Sequence, residues 1–165
     1  MHLRAVSAKQ SLVITTEEIS DADMVCQIKT VAQSSTKPTV RILLSGDTGS
    51  NASAVTTLLG LGLSNLSIRV MPGQPTPPAT SAPQITPFYM HGKQVIVDGV
   101  QAFVGSENLT NTSLIQNREL GTLFTDPAMI ARLQSVFTSD FTTSGNSLAA
   151  QTYAGTAPVP WPAVP

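Results

Sequence analysis

The apolar and polar positions of this chain change period several times, and each change marks an element. Ser11–Thr16 (SLVITT) is β-branched and apolar without helical spacing, so it predicts a strand. Apolar residues then recur at Met24, Val25, Ile28, Val31 and Ala32, the stripe of a helix that Ser20 or Asp21 can cap. Thr39–Leu44 (TVRILL) is nearly continuous in apolar residues and predicts a central strand. A helix over residues 52–61 and a strand over 66–71 follow. Strand and helix thus alternate from residue 11 to 71, which implies an α/β fold: a mostly parallel sheet with helices on its faces.

The remaining pattern is less regular. Residues 1–10, with Leu3, Val6 and Ala8 apolar, read as the end of a helix. Pro72–Pro87 holds six prolines, too many for regular structure, and reads as a loop. Asp98-Gly99 between two apolar runs is a hairpin signal. Residues 119–125 (ELGTLFT) suggest one more strand. Asp126 and Pro127 then read as N-cap and first residue of a helix whose apolar face is Met129, Ile130, Leu133, Val136 and Phe137. From Thr142 the chain turns polar and then proline-rich. The expected organisation is one domain over residues 1–141 and a flexible Ser/Thr/Pro-rich tail over 142–165.

Composition narrows the setting. At 165 residues the chain can bury one real core. A net charge of −1 gives no basic field to attract nucleic acid, which disfavours that partner. Only 12% of residues are charged, and Ser, Thr and Pro are abundant, a balance that leans towards an extracytoplasmic or membrane-peripheral setting. No run is apolar enough for a transmembrane span, and the N-terminus shows no signal-peptide core. Cys26 is the sole cysteine, so no intrachain disulfide forms; its expected place is a buried helix face.

The densest chemistry lies in His91-Gly92-Lys93-Gln94-Val95-Ile96-Val97-Asp98. Strand alternation would put His91, Lys93 and Val95 on one face, an imidazole beside an ammonium, a pair suited to a phosphate. Gly105-Ser106-Glu107-Asn108 and Asn117-Arg118-Glu119 follow at close range. Glu17 and Glu18 come directly after the first strand. They read as its polar end, the other reading being the mouth of a cleft.

The segment from Met90 to Asp126, with HxK, four residues, Asp, six residues, Gly-Ser and a nearby Asn, resembles the phospholipase D superfamily. The wording GSENLT and NRELG is similar to the C-terminal half of its bacterial cardiolipin-synthase-like members. The resemblance spans roughly residues 3–141 and implies, for one catalytic half, an α/β/α sandwich around a mostly parallel, mixed sheet. It implies cleavage of a phosphodiester by two imidazoles without metal or cofactor. One imidazole forms a covalent phosphohistidine and the other moves the proton. On this sequence it makes His91 the nucleophile or acid and Lys93 a phosphate-oxygen ligand. Ser106 and Asn108 become further phosphate-binding groups, and Glu119 the acceptor for the far imidazole nitrogen. Asp98, Gly105 and Asn117 become supports; Asp98, on the opposite strand parity from His91, ties down backbone rather than touching substrate. Each residue also has a plainer reading: Lys93 a solvated edge residue, Glu119 an ion-pair partner, Asn108 a turn residue.

The only other histidine is His2, without the pattern that follows His91. The chain therefore supplies half a site, to be completed by a second copy or by a missing N-terminal half. The substrate implied is a phospholipid or another phosphodiester, with hydrolysis or phosphatidyl transfer as the reaction. The alternatives are a homodimeric single-motif endonuclease and a non-catalytic half-domain.

Overall fold

The computed structural model of the chain describes residues 7–46, 49–71 and 90–143. The expectations for residues 1–6, for the loop 72–87 and for the tail beyond 143 lie outside them. In order come β1 (Ser11–Thr16), α1 (Ala22–Ala32), β2 (Thr39–Leu44), α2 (Ala52–Leu59) and β3 (Leu66–Val70). Then follow β4 (Gln94–Val97), β5 (Gln101–Gly105), a turn of π-helix (Thr112–Gln116), β6 (Gly121–Phe124) and α3 (Pro127–Thr143).

The six strands form one mixed sheet in the order β3-β2-β1-β4-β5-β6. Parallel pairing joins β1 to β2 and β2 to β3, from Ser11 opposite Thr39 onward. From β1 outward on the other side every pair is antiparallel, starting with Leu12 opposite Val97. The Asp98-Gly99 turn requires the antiparallel pairing of β4 with β5, because a tight hairpin can join only antiparallel strands. Both residues have positive φ, 52° and 67°, and the Val100 N–H closes the turn on the Val97 carbonyl at 3.0 Å.

β1 is central because it is apolar on both faces. Leu12 and Ile14 join a core with Met24, Ile28 and Val31 of α1 and Ala54, Val55 and Leu58 of α2. Val13 points the other way, to a second core with Leu43, Ile96 and Ala102 and with Ile130, Phe137 and Phe141 of α3. Helices therefore cover both faces, giving the three-layer α/β/α arrangement. Each fully buried leucine or isoleucine contributes about 1.5–3 kcal/mol. Asp21 caps α1 by accepting from Met24 N at 2.9 Å. Asp126 receives Met129 N at 2.8 Å at the start of α3.

Three local expectations need correction. Cys26 is exposed: two residues from both Met24 and Ile28, it points some 200° away from their stripe. Met129 and Val136 are also exposed, because the inward stripe of α3 runs Ile130, Leu133, Phe137 and Phe141. Phe141 stacks on Phe137 at 5.2 Å between ring centroids, and the Arg69 guanidinium lies 4.6 Å from the Phe141 centroid. α3 thus continues to Thr143, and the boundary expected at 142 falls inside its last turn.

Candidate active site

β1 lies between its parallel partner β2 and its antiparallel partner β4. At such a reversal of strand order the carboxyl end of the central strand opens into a crevice. Glu17 stands just past that end, and His91-Gly92-Lys93 just before β4, so the two segments meet there.

Main-chain bonds draw a third segment in. Leu109 N donates to Glu18 O at 3.0 Å, and Ser20 N and Asp21 N both donate to Leu109 O at 3.0 Å. The 106–110 loop is thereby laid along residues 18–21, and Asn108 is turned towards Glu17.

Three nitrogen donors converge on one oxygen. Glu17 Oε2 lies 3.0 Å from Lys93 Nζ, 3.1 Å from His91 Nε2 and 3.2 Å from Asn108 Nδ2. Lys93 also donates to the His91 carbonyl at 2.9 Å. Its side chain is 4% exposed and that of Glu17 13%, whereas His91 is 72% exposed. A buried ammonium without an anion beside it is costly, and the Glu17 carboxylate at 3.0 Å offsets that cost. The imidazole remains open to anything entering from solvent.

A second cluster adjoins the first. Glu119 receives Ser106 Oγ at 2.6 Å and Asn117 Nδ2 at 3.0 Å. Ser106 in turn accepts from Leu120 N at 3.1 Å. The Ser106 hydroxyl first, then Asn117, and after them Ser113 and the Lys93 charge hold the Glu119 carboxyl below its ordinary value, against a small opposing effect of burial. Lys93, Glu119 and Asn117 line one cavity of about 210 Å³, whose apolar wall is Val95, Phe103 and Leu109. Gly105 pairs with Gly121, and the Phe103 ring lies over both: a Cβ on Gly121 would sit 2.1 Å from it. Gly105 N also donates to the Lys93 carbonyl at 3.1 Å, fixing the backbone of the lysine.

Asp98 is at the other end of β4, roughly 16 Å along the strand from Lys93 at about 3.3 Å per residue. Its Oδ1 receives the N–H groups of Lys9, Gln10 and Ser11 at 3.0, 2.7 and 2.9 Å. Burial pushes the Asp98 carboxyl up, but these backbone donors and the Lys9 charge outweigh it and leave it below its ordinary value.

His91, Lys93 and Asn108 thus meet at one point, while Ser106, Asn117 and Glu119 form the neighbouring cluster. The carboxylate that meets His91 is Glu17's. Glu119 is taken up by Ser106 and Asn117, and Ser106 commits its proton to Glu119. Sequence reasoning read Glu17 as a polar strand end; the available signal was its place directly after an apolar central strand, where α/β crevices form. Among the described residues no group of three or more His, Cys, Asp or Glu side chains could hold a metal ion. No helix among them is long and apolar enough to cross a membrane.

Residues 4–141 match the family described as cardiolipin synthase, PLD-like domain. No curated protein sequence matches the chain. Among solved structures it is similar to NucT from Helicobacter pylori, with TM-score 0.68 and 21% identity over 84% of this chain and 82% of that one. It is similar to Nuc from Salmonella typhimurium, a phospholipase D family member, with TM-score 0.67 and 20% identity over 88% and 86%. Phosphatidylserine synthase from Haemophilus influenzae Rd KW20 aligns with TM-score 0.59 and 16% identity, over 88% of this chain but 35% of the synthase.

Proposed function

We propose, from the premise that the chain belongs to the phospholipase D superfamily through its cardiolipin synthase, PLD-like domain, that it is one half of a phosphodiester-cleaving or phosphatidyl-transferring site. The observation that carries this reading is the convergence of His91 Nε2, Lys93 Nζ and Asn108 Nδ2 within 3.2 Å of a single oxygen. A non-bridging phosphate oxygen makes the same bonds with Lys93 and Asn108, which brings phosphorus up to the His91 ring.

In this reading His91 attacks phosphorus, forming a P–N bond as the P–O bond to the leaving alcohol breaks. A second imidazole, from another copy or another half, gives its proton to that alcohol. It then takes a proton from water or an acceptor alcohol, whose oxygen displaces His91 from phosphorus. Lys93 and Asn108 hold the oxygens on which charge collects in both transition states. Glu119, kept ionised by Ser106 and Asn117, takes the far nitrogen of His91 once the exposed ring turns to the phosphate. Gly105 fixes the backbone of Lys93, Asp98 anchors the far end of β4, and no metal takes part.

The cavity favours a small or lipid diester over a nucleic-acid strand. Among the described residues Lys93 is the one basic residue lining it, beside the apolar Val95, Phe103, Leu109 and Leu114, whereas a backbone groove needs several cations. A homodimeric endonuclease is the second reading. What favours it is the match to Nuc and NucT over more than four-fifths of their lengths, as a one-module chain pairing with its own copy would give.

The covalent step is the test. Assembled protein given a chromogenic diester such as bis-p-nitrophenyl phosphate should form an acid-labile phosphoryl adduct on His91. Turnover should survive excess EDTA. His91→Asn should form no adduct and lose activity by many orders of magnitude while keeping its fold. An adduct on another residue, or a reaction stopped by EDTA, would reject the assignment.

A further inference from the structure

The carboxylate of Glu17 has no part in the chemistry above, yet it holds the centre of the site. The one oxygen reached by Lys93, His91 and Asn108, at 3.0, 3.1 and 3.2 Å, is Glu17 Oε2. Lys93 and Asn108 are the donors to which the proposed function assigns the phosphate oxygens, and His91 is the ring it sets against phosphorus. Carboxylate and phosphate oxygens are both anionic acceptors with the same approach distance, so they compete for one place. Resting on the phosphodiester reading, we propose that Glu17 is an internal occupant of the phosphate site, a specificity-determining side chain that an incoming diester must displace.

The surroundings fit an exchange made by the side chain alone. The Glu17 carbonyl accepts from Ser45 Oγ at 2.7 Å and from Asn51 Nδ2 at 3.1 Å. Ile19 N donates to Asn51 Oδ1 at 2.8 Å, and Asn51 is 3% exposed. The Glu18 carbonyl accepts from Leu109 N at 3.0 Å. The main chain is therefore pinned on both sides of Glu17. Only rotation about the side-chain bonds is left to move the carboxylate, and no loop has to open.

Charge then decides what can enter. Lys93 is buried and requires an anion at all times. A neutral molecule cannot replace Glu17 there. A phosphodiester carries one negative charge and exchanges with the carboxylate like for like. A phosphomonoester dianion brings one charge more, next to the displaced carboxylate, and is disfavoured by repulsion. Glu17 thus selects diesters over monoesters, and returns to Lys93 when product leaves.

The test is binding to the full chain, read by His91 ring shifts in NMR, with dimethyl phosphate as the diester probe and formate as a free carboxylate. Glu17→Ala should bind dimethyl phosphate at least tenfold more tightly than wild type. Formate should compete in Glu17→Ala and not in wild type, because only the variant has a vacated carboxylate place. If Glu17→Ala does not fold, Glu17→Gln keeps the volume without the charge and should also bind the diester at least tenfold more tightly. Where dimethyl phosphate binds at all, binding no tighter in the folded variants than in wild type would overturn the proposal, as would equal formate competition in wild type. Formate binding to Glu17→Ala with no dimethyl phosphate binding in any form would support the internal occupant and reject the phosphodiester reading instead.

Discussion

Ser106 gives its hydroxyl proton to Glu119 across 2.6 Å, within the range of about 2.5–2.7 Å for an O–H donor on a carboxylate. That bond ties the loop after β5 to the residues before β6 and is the largest influence holding Glu119 ionised. Ser106→Ala should therefore move the Glu119 pKa up towards its ordinary value of 4.5, visible as a shifted carboxyl titration in ¹³C NMR. Glu119→Gln should slow turnover about ten- to a thousandfold, the range of acid–base contributions, with little change in substrate binding. An unchanged rate would leave Glu119 a structural anion only.

Asp98 supports the fold from the far end of β4. Replacing it with Asn removes the charge that the N–H groups of Lys9, Gln10 and Ser11 point at. The loss should be about 1–2 kcal/mol by denaturant unfolding, low in the range for charged hydrogen bonds because solvent reaches the carboxylate. The sign with pH follows from the lowered folded-state pKa. The Asp98 contribution is fully present above the ordinary value of 3.8 and disappears as pH falls through the lower native value. The stability gap between wild type and Asp98→Asn should thus close in acid.

The need for a second motif can be measured by dilution. The chain has two histidines, and His2 is not followed by the Lys and Asp pattern. Ile115, Leu120 and Leu123 expose 60% or more of their surface beside the Ser106–Glu119 cluster, apolar ground that invites association. If two copies make one site, each His91 faces its counterpart across a twofold axis. In mixtures of wild type with His91→Asn, activity should then fall as the square of the wild-type fraction. A linear fall, or activity in a monomeric sample, would show that one motif suffices.

Much of this was legible in the sequence, for physical reasons that differ by element. SLVITT and TVRILL were readable as strands because a strand buried on both faces must be apolar throughout. The Asp98-Gly99 hairpin was readable because two positive φ values demand such residues. Phe141 lay beyond the last residue assigned to the α3 stripe, and only its stacking on Phe137 shows that the helix continues. The turn of π-helix over Thr112–Gln116 has no period that short polar sequence could display. Glu17 was not legible as a site residue. Its three donors stand 74 to 91 positions away, and nothing local distinguishes a carboxylate that meets them from one at a solvated strand end.

The place of β1 in the sheet also bears on how the chain is made. β1 is synthesised well before one of its two neighbours, β4. Until Gln94–Val97 has left the ribosome, the N–H and C=O groups on one side of the most buried strand have no partner. During that interval the nascent chain presents an open edge of the kind that recruits other chains. A chaperone that shields this edge, or slow translation placed after residue 97 rather than before it, would protect the protein at its most vulnerable stage.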